Sequence, residues 1–273
     1  MKVDGKVAVI TGAASGIGRA TCEALAQRNI RAIGAVDRAE PVTEFARTIN
    51  AELGREVLVP YIGDVTETAF REQVYADLEK RFGTVSICVP AAGITRDRLS
   101  VKIDRSNGTL RSDIYPLDDF HRVLEIDLIA PIYWALQTIA SVAKTRARAG
   151  LKGWEPTEGV QGGVILIGSV SSAGNRGQIS YATAKAGLEG AQATLAIEAI
   201  YHGVRCAIIH PGFTDTPMVR ALGEALIQEQ VLPNTQLRRL IRPEEIAGAI
   251  CFMIENSSVS GSLWADAGWR PSR

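Results

Sequence analysis

A tyrosine and a lysine stand four positions apart in the segment QISYATAKAGLEG, residues 178–190. The segment is rich in alanine, the strongest helix former, so we predict a helix through residues 182–199. Positions i and i+4 share a helix face, which places the phenol of Tyr181 beside the ammonium of Lys185. Such a pair is either a surface contact without a function or a catalytic pair in which the ammonium sets the acidity of the tyrosine phenol.

The second alternative has a simple electrostatic basis. A free tyrosine titrates near ~10, too high for proton exchange at neutral pH. An ammonium about 4 Å away, at an effective dielectric constant of about 20, contributes about 4 kcal/mol, an upper limit equivalent to about 3 pKa units. A phenol so placed would titrate near neutrality and exchange a proton with an alcohol oxygen. Ser169, just past the fifth predicted strand, would hold that oxygen, unless it is only a polar loop residue.

A glycine-rich turn, VITGAASGIGRA, follows the first predicted strand and opens the first predicted helix. Glycines let backbone N–H groups approach a pyrophosphate, and the helix N-terminus favours its charge. The pattern is weak alone, since glycine also marks ordinary turns. Asp37, 19 positions after Gly18, adds the carboxylate expected on an adenosine ribose. We therefore predict an NAD site, although Arg38 would either accept the 2′-phosphate of NADP or be a solvated loop residue.

These residues must be positioned by an alternation of strands and helices. Seven short, nearly continuous apolar runs alternate with helical stretches, which predicts an α/β fold with a doubly wound parallel sheet of about seven strands and helices on both faces. The predicted strands are 6–11, 31–36, 56–62, 85–89, 163–168, 204–209 and 261–266, and the predicted helices are about 17–28, 42–53, 66–82, 117–148, 181–202 and 243–255. We predict one domain over residues 1–273. Residues 94–115, which include an Asn107-Gly108 turn, and residues 149–162 are predicted as long loops.

The composition excludes several classes of function. Hydrophobic residues make up 46% of the chain and charged residues 22%, which is typical of a globular protein with a full core. The net charge is zero, so no global field draws the chain to nucleic acid or to an anionic membrane. We see no signal peptide and no apolar run of membrane-spanning length. Four widely spaced cysteines without a CxxC pattern predict buried thiols in a cytoplasmic protein with no metal site.

Taken in order, short motifs over nearly the whole chain resemble the short-chain dehydrogenase/reductase family. They are TGAASGIG (11–18), Asp37, GDV (63–65), AAG (91–93), IGS (167–169), YATAK (181–185) and HPGFTDTPM (210–218). Within the family, AGITRDRL (92–99), GSVSSAG (168–174) and PGFTDTPM (211–218) are most similar to 3-oxoacyl-[acyl carrier protein] reductases and acetoacetyl-CoA reductases. The resemblance implies a Rossmann-like fold, hydride transfer between a nicotinamide and a carbonyl, and a homotetramer.

The resemblance also implies roles for individual residues. Ser169 would orient the substrate oxygen, Tyr181 would be the general acid/base, and Lys185 would bind the nicotinamide ribose and lower the pKa of the tyrosine. Asp127 would stand in the proton relay and is the fourth candidate catalytic residue. The residues implied to bind the dinucleotide are Gly12, Ser15, Gly16, Ile17, Gly18, Asp37, Asp64, Val65, Ala91, Gly93, Tyr181, Lys185, Pro211, Gly212 and Thr214.

Two departures from the family pattern leave a second function open. Asn-Asn-Ala-Gly of the family is replaced by Pro90-Ala91-Ala92-Gly93, and its relay asparagine by Asp127. The first hypothesis is an NAD-dependent enzyme acting on a secondary alcohol or ketone, with a CoA or carrier thioester as leading substrate and a free cyclic or aryl alcohol next. The alternative is a catalytically weak dinucleotide-binding subunit that serves a partner or a regulatory role.

Overall fold

A single seven-stranded sheet organises the computed structural model, which describes residues 1–105 and 110–269. All of its strands run parallel, in the order β3-β2-β1-β4-β7-β8-β9. The strands are β1 (Val7–Thr11), β2 (Ala32–Asp37), β3 (Leu58–Ile62), β4 (Val85–Pro90), β7 (Gly162–Ile167), β8 (Val204–Pro211) and β9 (Gly261–Ala265). The strand order reverses between β1 and β4, and ligands of such sheets bind at that reversal.

Helices cover both faces of the sheet, which explains why most residues of its strands are apolar. One layer of core joins Ala8 and Ile10 of β1 to α1 (Gly16–Ala26), α2 (Pro41–Leu53) and α9 (Pro243–Glu255). The other joins Val7 and Val9 of the same strand to α3 (Thr68–Phe82), α5 (Ala130–Arg148) and α6 (Ile179–Glu198). Successive residues of a strand point to opposite faces, so each strand contributes to both layers. The predicted doubly wound α/β fold is confirmed, and the extent of the single domain stays a prediction.

The predicted helix over 117–148 is interrupted by one wider turn. It begins as α4 (Leu117–Leu124), passes through a π-helical turn at Glu125–Ile129 and continues as α5. By length and composition alone, this 32-residue stretch is apolar enough to cross a membrane, but half of its most apolar window is buried within the fold. Trp134 is fully buried and donates from its indole nitrogen to the carbonyl of Val65, at 2.9 Å. The apolar length of this helix therefore reflects its packing on the sheet.

The prediction of one long loop over 94–115 is wrong in part. Residues Val101–Asp104 (β5) and Arg111–Ile114 (β6) pair as an antiparallel ribbon outside the main sheet. Charged pairs occupy one face, where Lys102 lies opposite Asp113 and Asp104 opposite Arg111. The predicted Asn107-Gly108 turn falls outside the described residues. Because all eight strand residues are exposed, burial gives them no apolar signature from which a strand could be predicted.

The chain between β8 and α9 is mostly irregular and holds two very short helices, α7 (Pro217–Arg220) and α8 (Glu224–Leu226). A single bridge between Thr214 and Ile241 ties its two ends together beyond the carboxyl end of β8. The Thr216 side chain caps α7 by accepting from the Val219 backbone N–H. This segment therefore closes over the edge of the sheet where the strand order reverses.

All four cysteines are free and buried, as predicted. Cys22 of α1 and Cys251 of α9 belong to the first core layer, whereas Cys88 of β4 and Cys206 of β8 belong to the second. Burial raises the pKa of Cys88 and Cys206 to about 12 and that of Cys251 to about 11, and it raises the pKa of Cys22 further still.

Candidate active site

A cavity of about 270 Å³ opens at the carboxyl edge of the sheet, where the strand order reverses. Its floor is the glycine-rich turn between β1 and α1, and its walls come from the segments that follow β2, β4 and β7. Ser15 is the N-cap of α1 and makes no side-chain hydrogen bond to the helix, which leaves the first N–H groups available to an anion. This edge of the sheet can therefore receive a phosphate.

The glycines of this turn are required by close approach of backbone. A Cβ at Gly12, whose φ is +69°, would lie 2.8 Å from the Ala92 nitrogen and 2.9 Å from the Ala91 carbonyl. A Cβ at Gly18 would lie 2.3 Å from the carbonyl oxygen of Gly12. The helix thus begins in contact with the strand turn, and the Thr216 side chain lies against the same turn at Gly16. The cradle and its donors fit a dinucleotide pyrophosphate.

Asp37 lies at the end of β2 and supports the glycine turn directly. Its carboxylate accepts hydrogen bonds from the Ala14 N–H, at 2.9 Å, and from the Ala39 N–H, at 3.0 Å. The carboxylate is thereby fixed at the wall of the cavity, where Arg38 also lies. Both the acceptor for ribose hydroxyls and a cation able to meet a 2′-phosphate are present, as the sequence predicts.

An ion pair that the sequence did not predict borders the same cavity. Arg122 of α4 donates to the carboxylate of Asp64 at 3.1 Å, and Thr66 donates to the other oxygen of that carboxylate through both its N–H and its hydroxyl. Burial opposes ionisation of Asp64, but these hydrogen bonds and the Arg122 charge outweigh it and lower the pKa of Asp64. The pair forms a polar wall beside Val65, and the resemblance assigns both Asp64 and Val65 to dinucleotide binding.

Tyr181 and Lys185 lie on one face of α6, as predicted, and both line the cavity. The ammonium of Lys185 is 5.4 Å from the centroid of the Tyr181 ring and donates to the Ile167 carbonyl at 3.1 Å. Lys185 is only 4% exposed, so its charge is not free to move into solvent. The buried ammonium is therefore fixed beside the partly buried Tyr181 ring, and the pair is not a surface contact.

Asp127 is fully buried in the π-helical turn and completes a buried charge cluster. Its Oδ2 lies 3.3 Å from the Lys185 ammonium, and its Oδ1 accepts from the Ile94 N–H at 2.9 Å. Burial opposes the charge of Lys185, but the carboxylate of Asp127 outweighs it and raises the pKa of Lys185. A Cβ at Gly93 would lie 2.8 Å from Oδ2, so this glycine makes room for the carboxylate.

The acidity of Tyr181 differs from the sequence-based expectation. Burial raises the pKa of its phenol above the ordinary value of a tyrosine, and the Lys185 charge offsets only part of that effect. Asp127 raises the pKa further, whereas the neighbouring Ser169 hydroxyl lowers it. The expectation considered only the effect of the Lys185 ammonium. In this structure, desolvation and the Asp127 carboxylate together raise the pKa more than the ammonium lowers it. The phenol of Tyr181 is therefore protonated at neutral pH.

A second, smaller cavity of about 80 Å³ meets the first at Tyr181. Its apolar lining comes from the segment after β8, and its polar lining includes Ser169 and Asp97. Ser169 is the N-cap of a short 3-10 turn, where its hydroxyl accepts from the Ser171 N–H at 3.1 Å. A ketone or alcohol in this cavity would lie between the Ser169 hydroxyl and the Tyr181 phenol.

His210 is a fully buried residue of β8 next to the Ser169 loop. Its Nδ1 lies 3.3 Å from the Ser169 carbonyl and 3.2 Å from the Ser172 hydroxyl, and its ring stacks on Trp264 with centroids 4.2 Å apart. Burial lowers the pKa of His210, which keeps the ring uncharged at neutral pH. The imidazole thus supports the loop that carries Ser169, a role that no sequence spacing indicates.

The two cavities bring together most of the residues predicted for the site. The first is lined by Gly12, Ser15, Gly16, Ile17, Gly18, Asp37, Asp64, Val65, Ala91, Gly93, Asp127, Tyr181 and Lys185. The second is lined by Ser169, Tyr181 and Gly212. Pro211 and Thr214 line neither: Pro211 ends β8, and Thr214 is buried, with its hydroxyl bonded to the Gly212 carbonyl at 3.1 Å. Among the described residues, no cluster of His, Cys, Asp and Glu could hold a metal ion.

Comparison with known proteins places this site in a family. Residues 12–269 match the family described as enoyl-(acyl carrier protein) reductase. The chain is 32% identical to the 3-oxoacyl-[acyl-carrier-protein] reductase of Escherichia coli K12, over 94% of this chain and 93% of that protein. It is 30% identical to the enzyme of the same name from Thermotoga maritima, over 96% of both chains, and 31% identical to that of Vibrio cholerae, over 93% and 91%.

The matches extend from the glycine turn to beyond the last strand and so include both cavities. The chain therefore belongs to the short-chain dehydrogenase/reductase family of NAD(P)-dependent oxidoreductases.

Proposed function

We propose that this protein interconverts a secondary alcohol and a ketone by hydride transfer to or from NAD, with Ser169, Tyr181 and Lys185 as its catalytic residues. The observation that carries the proposal is the position of Tyr181, which lines both the cavity that fits the dinucleotide and the smaller one beside it. A bound nicotinamide would supply or accept the hydride; the remaining chemistry belongs to the side chains described here.

The chain's own contribution is to bind the oxygen and to move its proton. Ser169 would donate a hydrogen bond to the substrate oxygen, and Tyr181 would give that oxygen a proton in reduction or remove one in oxidation. Lys185 is anchored to the Ile167 carbonyl and keeps its charge next to the phenol, which stabilises the phenolate whenever it forms.

NAD is the dinucleotide that we propose, because Asp37 is fixed at the cavity wall by two backbone N–H groups. A carboxylate there accepts ribose hydroxyls and repels a 2′-phosphate. Arg38, a cation at the same wall, opposes this preference. Kinetic preference between NADH and NADPH will decide.

A 3-hydroxyacyl or 3-oxoacyl thioester is the leading substrate in this proposal. The support is similarity to relatives named for 3-oxoacyl-[acyl-carrier-protein] reduction. A phosphate-bearing carrier would favour free cations near the cavity mouth. Two arginines of the segment after β4 are already paired: Arg98 with Asp113 at 2.5 Å and Arg96 with Asp119 at 3.8 Å. Among the basic residues at the end of α5, Lys144 pairs with Glu79 and Arg146 with Glu158.

The test is a screen of the purified protein with NADH and with NADPH against acetoacetyl-CoA, acetoacetate esters, cyclic ketones and aryl ketones. Turnover is measured as the loss of absorbance of the reduced nicotinamide. We expect turnover, with a higher kcat/KM for acetoacetyl-CoA than for the same ketone without its carrier. An equal kcat/KM for both would remove the thioester from the proposal. Binding of NADH without turnover of any ketone or alcohol would favour the dinucleotide-binding subunit instead.

A further inference from the structure

The π-helical turn of the long helix places the Asp127 carboxylate beside the buried ammonium of Lys185, which also lies near the Tyr181 ring. Asp127 is fully buried, and Gly93 leaves space for its Oδ2. Oδ1 has a backbone partner in the Ile94 N–H, whereas Oδ2 has no hydrogen-bond partner within the described residues and lies 3.3 Å from the ammonium. Burial raises the pKa of Asp127, and the Lys185 charge and the Ile94 N–H offset this only in part, so the carboxylate depends on both partners for its stabilisation.

The same ammonium must also stabilise the phenolate of Tyr181. The Lys185 ammonium lies 3.3 Å from Oδ2 of Asp127 and 5.4 Å from the centre of the Tyr181 ring, so both groups are close enough to share its charge. One positive charge between two negative ones stabilises each less than it would stabilise either alone. The carboxylate therefore reduces the help that Lys185 gives to phenolate formation, and its own negative charge adds repulsion.

The other charges around the phenol do not reverse this balance. Asp97, in the loop that follows β4, is a further negative charge that acts on Tyr181. His210 of β8 is uncharged at neutral pH, and its Nε2 faces Glu189 of α6 at 3.9 Å. Arg122 of α4 is engaged with Asp64. Lys185 is thus the cation that acts on the phenol, with Asp127 and Asp97 opposing it.

We propose that Asp127 is a positioning residue that keeps Tyr181 protonated, so that this site reduces ketones across neutral pH and oxidises alcohols only in alkaline solution. The inference rests on the proposed function and assigns its preferred direction. In reduction, the carbonyl carbon receives the hydride while its oxygen takes the phenolic proton, and water then reprotonates the phenolate. In oxidation, the phenolate must exist beforehand to accept the hydroxyl proton, so its scarcity limits the rate.

The direct experiment titrates the phenol without any substrate. Tyrosinate absorbance is recorded against pH for the protein and for its Tyr181→Phe variant, and the difference isolates Tyr181 from the other tyrosines. We expect Asp127→Asn to lower the apparent pKa of Tyr181 by about one unit, equivalent to about tenfold more phenolate at a given pH. Asp77→Asn is the matched control, because that carboxylate accepts from the Tyr61 hydroxyl at 2.5 Å and should change only the titration of Tyr61.

The kinetic experiment follows kcat/KM against pH with acetoacetyl-CoA and NADH and with 3-hydroxybutyryl-CoA and NAD. In the unaltered protein, we expect kcat/KM for reduction to stay constant through neutral pH and kcat/KM for oxidation to rise until strongly alkaline pH. In Asp127→Asn, the fall of kcat/KM for reduction and the rise of kcat/KM for oxidation should both occur about one pH unit lower. A purely structural role would lower the rates at every pH without shifting either change along the pH axis.

The two experiments separate failure of this inference from failure of the proposed function. An unchanged or raised Tyr181 pKa in Asp127→Asn, in a protein that keeps its circular dichroism spectrum, would overturn the inference even if the enzyme is active. A lowered pKa in a protein that turns over neither thioester would leave the charge balance established and contradict the proposed substrate.

Discussion

The proposed reaction depends on the hydroxyl group of Tyr181 more than on any other side chain. The partly buried Tyr181 side chain lies where two cavities meet, with the Lys185 ammonium on one side and Ser169 in the lining of the smaller cavity. Removing the hydroxyl alone should leave the cavity shape unchanged, because phenylalanine keeps the ring that packs there. Tyr181→Phe should therefore lower kcat by about 10²–10⁴-fold, as is typical when a general acid is removed, with little change in the Kd for NADH.

The measurements are steady-state turnover and a fluorescence titration of NADH. Tyr201→Phe serves as the matched control, since Tyr201 is 58% exposed and lies outside both cavities. A Tyr181→Phe protein with nearly normal kcat would contradict the role of the phenol.

Asp37 carries the proposed preference for NAD. Asp37→Ala should reduce the NADH-to-NADPH ratio of kcat/KM by at least about tenfold, because the variant loses ribose acceptors and a charge that repels the 2′-phosphate. The substitution also leaves the Ala14 and Ala39 N–H groups without their partner, so Tm should be measured beside the kinetics. Arg38→Ala is the companion variant and should move the ratio in the opposite direction. A protein that prefers NADPH before any substitution would show that Arg38 prevails.

At the scale of elements, the contact between α1 and the β1 turn is the tightest part of the cofactor cavity. Gly18→Ala would place a methyl group 2.3 Å from the Gly12 carbonyl oxygen. The helix start must then shift, at a cost typical of overpacking, about 1–3 kcal/mol. We expect a lower Tm and a Kd for NADH raised by about tenfold or more.

Gly248→Ala is a helical glycine control with no atom within 4 Å of the added methyl group. It should be neutral or stabilising by about 0.5–1 kcal/mol, since alanine favours a helix interior over glycine. Equal losses of NADH affinity in the two variants would mean that the close approach at Gly18 is unimportant.

The elements differ in how far the sequence predicts them. The seven strands of the sheet are predictable because most of their residues are apolar, and each lies within two residues of its predicted bounds. The β5–β6 ribbon is not predictable in the same way, because its exposed residues, such as Lys102 and Asp104, carry no pattern that burial imposes. Likewise, Arg122 and His210 reach the site only through the packing of α4 and β8, which no fixed spacing along the chain encodes.

Within the site, the motif residues were predictable and their energetics were not. The spacing of Tyr181 and Lys185 correctly predicts a shared helix face near a glycine turn. The direction of the phenol's pKa depends on burial and on Asp127, whose distance from Lys185 is set by the π-helical turn. Such a turn cannot be read from residue types, so the pairwise estimate overstated the effect of the ammonium.

At the scale of the whole molecule, we propose that the chain forms a homotetramer in which α6 and the helix over 117–148 pair across a dyad. The support is family resemblance together with exposed apolar side chains on these helices: Ile197 is 77% exposed and Tyr133 is 50% exposed. Ile197→Asp should place unpaired charges in the contact and produce smaller species by light scattering at micromolar concentration. Leu53→Asp, at the distant end of α2, should leave the assembly unchanged. A monomeric unaltered protein would refute the assembly.

The arrangement of the four cysteines gives the two sides of the sheet separate chemical reporters. One pair of thiols lies in each core layer, and their high pKa values and burial prevent reaction with an alkylating reagent in the folded state. Alkylation must therefore wait for local or global opening. If the layers open together, Cys22, Cys88, Cys206 and Cys251 should be modified at one rate in mass spectrometry of digested protein. If the layer of α1 and α9 opens first, Cys22 and Cys251 should be labelled while Cys88 and Cys206 remain unmodified.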